Sequence, residues 1–190
     1  MDKVKEDIEF DASSKFQGSL PISSDDLLVS LDNWKIKYKC HNHPPLMTVE
    51  ESKKHQKQFS STDPSAAHIK NLYLRDHKKN NFLFVLEQDK KIDLKKMSTI
   101  MQAGRLSFGS PERLFEHLGV RPGAVTPFAM INGVKKNVKL FLDLDLKSYT
   151  KIFAHPLVND RTLEITMADL QIFFKKNNVY VNWIDSQELG

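Results

Sequence analysis

The sequence predicts an α+β fold: a single domain built on one mixed β-sheet with helices packed around it. Three observations carry that expectation. Apolar, strand-like runs recur at unequal spacing along the chain. Capped amphipathic helical segments are gathered between them. The length of 190 residues, with 40% hydrophobic and 27% charged content, suits one core of useful size, and there is no internal repeat or low-complexity tract.

Each element has a local reason. Residues 1–20 are mixed in charge and poor in periodic apolar positions, and are expected to form a mobile N-terminal extension to a domain spanning 21–190. "SSDDLLVSLDNW" places hydroxyl and carboxylate capping residues before Leu27, Leu28 and Leu31, a short helix. "KIKYKCHNH" alternates Ile36, Tyr38 and Cys40 with Lys35, Lys37 and Lys39, a half-buried strand that Pro44 and Pro45 end. Thr48 and Glu51 fit a capping box for a helix over 48–58.

"KNLYLRD" and "NNFLFVLEQ", joined by "HKKN", read as an antiparallel hairpin at the centre of the sheet. "DLKKMSTIMQAG" aligns Leu94, Met97, Ile100 and Met101 on one helical face, with Gly104 as the expected stop. "RLSFGSPERLFEHLGV" gives a brief strand, then a helix capped by Ser110, started by Pro111 and ended by Gly119. "NVKLFLDLDL", "KIFAHPL" and "RTLEIT" are strands, "TMADLQIFFKKN" a capped helix and "YVNWID" the closing strand.

Composition restricts the function. No apolar run approaches the about 20 residues a membrane helix needs, and "MDKVKEDIEFDASSKFQGS" has no signal-peptide core, so a soluble, cytoplasmic protein is expected. The one cysteine, Cys40, cannot form an internal disulfide and reads as packing rather than as a nucleophile. A net charge of +4 and a pI near 9.0 permit a polyanionic partner without requiring one.

GxSxG, GxxxxGK[ST] and HExxH motifs are all absent. "HNH" at 41–43 has no evident third ligand, so no metal or other cofactor is expected. His68 reads as a general base or as a polar loop residue. "GAVTP" at 123–127 is a turn, or a loop that presents backbone N–H groups to an oxyanion. Lys70 stands where a polar segment becomes an apolar strand, and is either a solvated strand-end charge or a cation at a pocket rim.

Four segments, "HPPLMTVEES", "HIKNLYLRD", "LSFGSPERLFEHLGVRPGAVTPFAMIN" and "AHPLVNDRT", occur in the order seen in the YbaK-like, prolyl-tRNA-synthetase-associated editing domains. Over residues 22–187 the chain resembles that family, and in wording most of all its free-standing ProXp-ala branch, which hydrolyses alanine mischarged on proline tRNA. The resemblance implies an aminoacyl-tRNA deacylase that needs no cofactor. Its partners would be the acceptor end of tRNA(Pro) and prolyl-tRNA synthetase. It assigns Lys70 and the Gly123 loop to catalysis. Substrate contacts would come from His68, Asn71, Ala124, Val125, Thr126, Pro127, His155 and Asn159. The family pattern "GxHTKN" is departed from at Ala66, Ala67 and Ile69. Two other readings stay open here: a deacylase for a different residue, such as cysteine on proline tRNA, and a non-catalytic tRNA- or synthetase-binding module.

Overall fold

A computed structural model describes residues 11–47, 51, 53 and 64–189. Eight strands form one mixed sheet: β1 (Tyr38–Asn42), β2 (Ala66–Arg75), β3 (Asn81–Glu87), β4 (Ser107–Phe108), β5 (Val138–Asp143), β6 (Lys151–Ala154), β7 (Arg161–Thr166) and β8 (Val181–Ile184). Their order is β1-β7-β6-β2-β3-β5-β8, with β4 joined to β2. β2–β3 is the expected antiparallel hairpin, whereas β2–β6, β3–β5 and β5–β8 run parallel. The α+β class read from the sequence is the one observed.

Helices cover both faces. α1 (Ser24–Asn33), α3 (Pro111–Leu118), α4 (Met130–Gly133) and α5 (Met167–Lys176) contribute to a large core with Leu83, Val85, Leu140, Leu142 and Ile152. α2 (Leu94–Ile100) drops Met97 into a smaller core with Leu74, Phe82, Phe84 and Leu86. β3 is therefore apolar on both sides, and "FLFVL" reads as an unbroken hydrophobic run rather than an alternating one. The capping logic is seen directly: Ser23, Ser110 and Thr166 each accept a first-turn N–H, from Asp26, Arg113 and Asp169.

Three local expectations differ from the structure. α2 stops at Ile100, before Gly104, because Gln102 takes a left-handed conformation (φ 50°) and Ala103 N–H returns to the Ser98 carbonyl at 2.9 Å. Gly104 has another role: a Cβ there would fall 1.8 Å from the His77 ring. Cys40 is exposed rather than packed, since β1 is an edge strand and buries Tyr38 and His41 only in part. Of the expected N-terminal extension, residues 11–20 lie on the domain. Ala12 is buried and Ser14–Ser19 form a 3₁₀ turn. Ser14 donates from its backbone N–H (3.0 Å) and its hydroxyl (2.6 Å) to the Asp160 carboxylate. The helix expected over 48–58 lies outside the described residues except at Glu51 and Lys53.

Candidate active site

The site arises where the sheet parts. Ala66–His68 of β2 pair with β6, and Leu74–Arg75 pair with β4 on that same edge. Between them, residues 69–72 have a strand partner among the described residues on the β3 side alone. A cavity of about 270 Å³ opens against this gap. It is lined by Ile69, Lys70, Asn71 and Leu72 of β2, by Gln88, by Leu46 and Met47, by Gly123 and Val125, and by His155.

Two turns shape the opposite wall. The "HPPLM" segment lies along the "LVND" turn, His43 N–H to Asp160 O at 3.0 Å and Leu46 N–H to Asn159 O at 2.9 Å. Asn159 N–H in turn reaches Ala12 O at 2.9 Å, so the N-terminal segment backs the pocket wall. Gly123 sits at φ +89°, a conformation that disfavours any residue with a Cβ. A Cβ there would also meet Met47 Sδ at 2.9 Å and Asn159 Nδ2 at 3.3 Å.

The expected site residues separate into groups. Lys70, Asn71, Gly123, Val125 and His155 come together around the cavity. Asn159 stands behind Met47, its amide 3.1 Å from the Met47 sulfur. Ala124, Thr126 and Pro127 are instead buried in the core: the Thr126 hydroxyl caps a 3₁₀ turn started by Pro127, and they brace the loop rather than line the cavity. His68 is outside the cavity lining, its ring stacked on Phe153 (4.5 Å between centroids, 11° between planes). Sequence reasoning missed Leu46, Met47, Ile69, Leu72 and Gln88. The aliphatic ones look like any core residue, and only the position of Met47 after a double proline hinted at a loop.

Adjacent in sequence, Lys70 and Asn71 leave β2 on opposite faces. Ala67, Ile69 and Tyr73 pack into the large core, as does the Asn71 side of the strand, while Leu72 and Leu74 pack on the other side. The Lys70 ammonium donates to the Lys90 carbonyl. Partial burial lowers its pKa from the ordinary lysine value, an effect opposed by Glu87 and Asp89. The Lys90 ammonium pairs with Asp145 and so anchors the loop that holds Lys70. Two amide oxygens, Asn71 Oδ1 and Asn159 Oδ1, are buried with no hydrogen-bond partner among the described residues. Asn71 lines the cavity, where such an atom is the natural receiver of a ligand's donor.

Three of the described histidines have polar partners close by. His43 bonds Thr162 Oγ1 and Pro44 O (2.8 Å each), His41 faces Glu164 at 3.3 Å, and His155 Nδ1 donates to Arg161 O at 2.8 Å. Among the described residues no three His, Cys, Asp or Glu side chains form a metal-holding group. Burial also depresses the pKa of His155. Desolvation pushes His68 down to about 4, against a weaker pull upward from Asp89, so its ring is neutral at physiological pH.

That shift predicts a pH effect on stability. Between pH 6.5 and about 4 the unfolded chain binds a proton at His68 that the folded chain does not, so folding weakens as pH falls through this window. Melting curves across it should fall more steeply for the parent than for His68→Phe, which keeps the stack on Phe153. Parallel curves would show that His68 is not the group responsible.

The cleft thus combines a glycine-bearing turn, a side-chain amide of β2 and a lysine in one lining. The profile of the aminoacyl-tRNA editing domain matches residues 43–173, and the chain belongs to that family, whose enzymes hydrolyse aminoacyl-tRNA esters. The chain is 34% identical over 152 residues to the prolyl-tRNA editing protein ProX of Acetoanaerobium sticklandii, covering 80% of this chain and 90% of that one. It is also 34% identical over 148 residues to the prolyl-tRNA synthetase associated domain-containing protein 1 of Danio rerio (77% and 78% covered). A solved structure assigned provisionally as a trans-editing enzyme for prolyl tRNA synthetase shares the fold, with TM-score 0.63, 21% identity, and 88% and 98% coverage. Among the described residues no helix is long and apolar enough to cross a membrane.

Proposed function

We propose that this protein is a trans-editing deacylase that clears alanine from mischarged proline tRNA. The observation that carries the reading is the cavity of about 270 Å³ between Gly123 and the β2 gap. It falls just below the roughly 300–1,000 Å³ typical of small-molecule pockets, which suits an aminoacyl end with a small side chain. Lys70, in the cavity lining, would take a phosphate or ribose oxygen of the terminal adenosine as a point charge. Asn71 Oδ1 would accept from the substrate's α-ammonium group.

The chemistry needs no protein nucleophile. A water molecule, positioned by the vicinal ribose hydroxyl, adds its oxygen to the ester carbonyl carbon. The carbonyl oxygen becomes an oxyanion facing the Gly123 and Val125 N–H groups. The Ala124 N–H is already bonded to Arg121 O at 3.0 Å, which fixes the loop in place. Collapse breaks the carbon–oxygen bond to the ribose, the ribose oxygen regains a proton that the water gave up, and free alanine and tRNA leave.

The size sieve explains why such an enzyme is useful. A synthetase pocket built for proline cannot firmly reject alanine, because missing methylenes are worth only about 1–3 kcal/mol. A second, smaller pocket can reject proline by overlap instead.

A deacylation panel on proline tRNA bearing alanine, cysteine, serine or proline tests the reading. Ala-tRNA should be cleaved and Pro-tRNA spared. Equal rates on these two would overturn the size sieve, and fast cleavage of Cys-tRNA with Ala-tRNA spared would move the protein to the cysteine-clearing alternative.

A further inference from the structure

The larger cavity, about 990 Å³, lies away from the cleft, between α5 and β8. Its surface combines two features seldom found together. Tyr180 is 79% exposed, and the half-buried Trp183 carries the Lys147 ammonium over its ring at 4.3 Å. Lys175 completes the cationic side and Gln171 and Asn178 supply amides, while no acidic side chain lines the groove. Neither Lys147 nor Lys175 forms an ion pair among the described residues.

Flat aromatic faces beside unpaired cations are what a single-stranded polynucleotide needs: rings for the bases and point charges for the phosphates. An apolar protein partner would leave these lysines facing nothing of opposite sign.

The strand register sets the spacing between this groove and the cleft. Asn71 pairs with Val85, Val85 with Leu142, and Leu142 with Trp183, one continuous row across four strands. Three inter-strand steps separate the two sites by about 14 Å along the sheet. Val85 and Leu142 of that row are buried in the large core, so a strand joining the two sites runs over the helical layer and is longer than this straight line.

We infer that the α5–β8 groove binds the unpaired nucleotides preceding the aminoacylated one in the substrate tRNA, with a base on Tyr180 and phosphates at Lys147 and Lys175. The inference rests on the tRNA-deacylase reading, but its test uses uncharged RNA. Two probes are compared by fluorescence anisotropy: a full-length proline tRNA transcript, and the same transcript lacking its four 3′-terminal nucleotides.

Tyr180→Ala should weaken binding of the full transcript about tenfold. Lys147→Gln with Lys175→Gln should lower the slope of log affinity against log salt by about one to two. Neither variant should change the affinity for the shortened transcript. Unchanged affinity of Tyr180→Ala for the full transcript overturns the inference. An equal loss on both transcripts overturns the assignment to the 3′ end. Loss of a self-associated species by Tyr180→Ala in sedimentation, with RNA affinity unaltered, makes the groove a protein interface instead. If RNA binding behaves as expected while the deacylation panel is negative, the groove stands and the catalytic reading falls.

Discussion

Lys70→Ala should lower single-turnover deacylation of Ala-tRNA by about 100- to 1,000-fold, the cost of removing one partner of a charged contact in a partly desolvated site. The fold should survive, because Lys70 is half-buried and its visible partner is one backbone carbonyl, that of Lys90. Lys70→Arg separates charge from shape. If the ammonium acts as a compact charge held by the Lys90 loop, the broader guanidinium should restore only part of the rate. Since burial lowers the pKa of Lys70, the alkaline fall of the rate should begin below the ordinary lysine range, and that fall should vanish in Lys70→Ala. A near-normal rate with an unchanged melting temperature would remove Lys70 from the mechanism.

Gly123→Ala should be nearly as damaging, by a different route. A Cβ at φ +89° costs about 1–2 kcal/mol, which in a chain of this length lowers the melting temperature by about 2–8 °C. The new methyl also presses on Met47 Sδ and Asn159 Nδ2, and so would shift the backbone N–H groups that the proposed mechanism aims at the oxyanion. Losing one such donor costs about 100- to 1,000-fold in rate. Met47 is 51% exposed, so Met47→Ala alone should be mild, and in the double variant it should return part of the lost rate by relieving the closer contact. Full activity in Gly123→Ala would show that this loop does not face the reacting carbonyl.

Much of this was legible from residues alone where the deciding interaction is local. Ser110, Pro111 and Gly119 specify the start and end of α3 through contacts within a turn, and the β2–β3 hairpin follows from two apolar runs joined by a short polar loop. Motif order singled out Gly123 and Lys70, and the fold brings both to one cavity. The parting of β2 was not, because it depends on β6 and β4, distant in the chain, claiming opposite ends of one strand edge. For the same reason "KN" hid the fact that its two side chains serve opposite faces. "GAVTP" looked like one functional unit, whereas burial gives Gly123 and Val125 to the cavity and Ala124, Thr126 and Pro127 to the core. The α2 terminus was missed because its left-handed residue is a glutamine, Gln102, which sequence does not mark.

The clasp between Ser14 and Asp160 sets a timetable. Its partners are 146 residues apart, and the turn it steadies holds Asn159 behind Met47 of the pocket wall. During synthesis at about 5–20 residues per second, Ser14 exists for about 7–30 s before Asp160 is made. Loop closure over such a distance comes late, after hairpins and helices have formed. The cleft is therefore finished late, and a growing chain, however much of its sheet has formed, holds no complete site until Asp160 has left the ribosome.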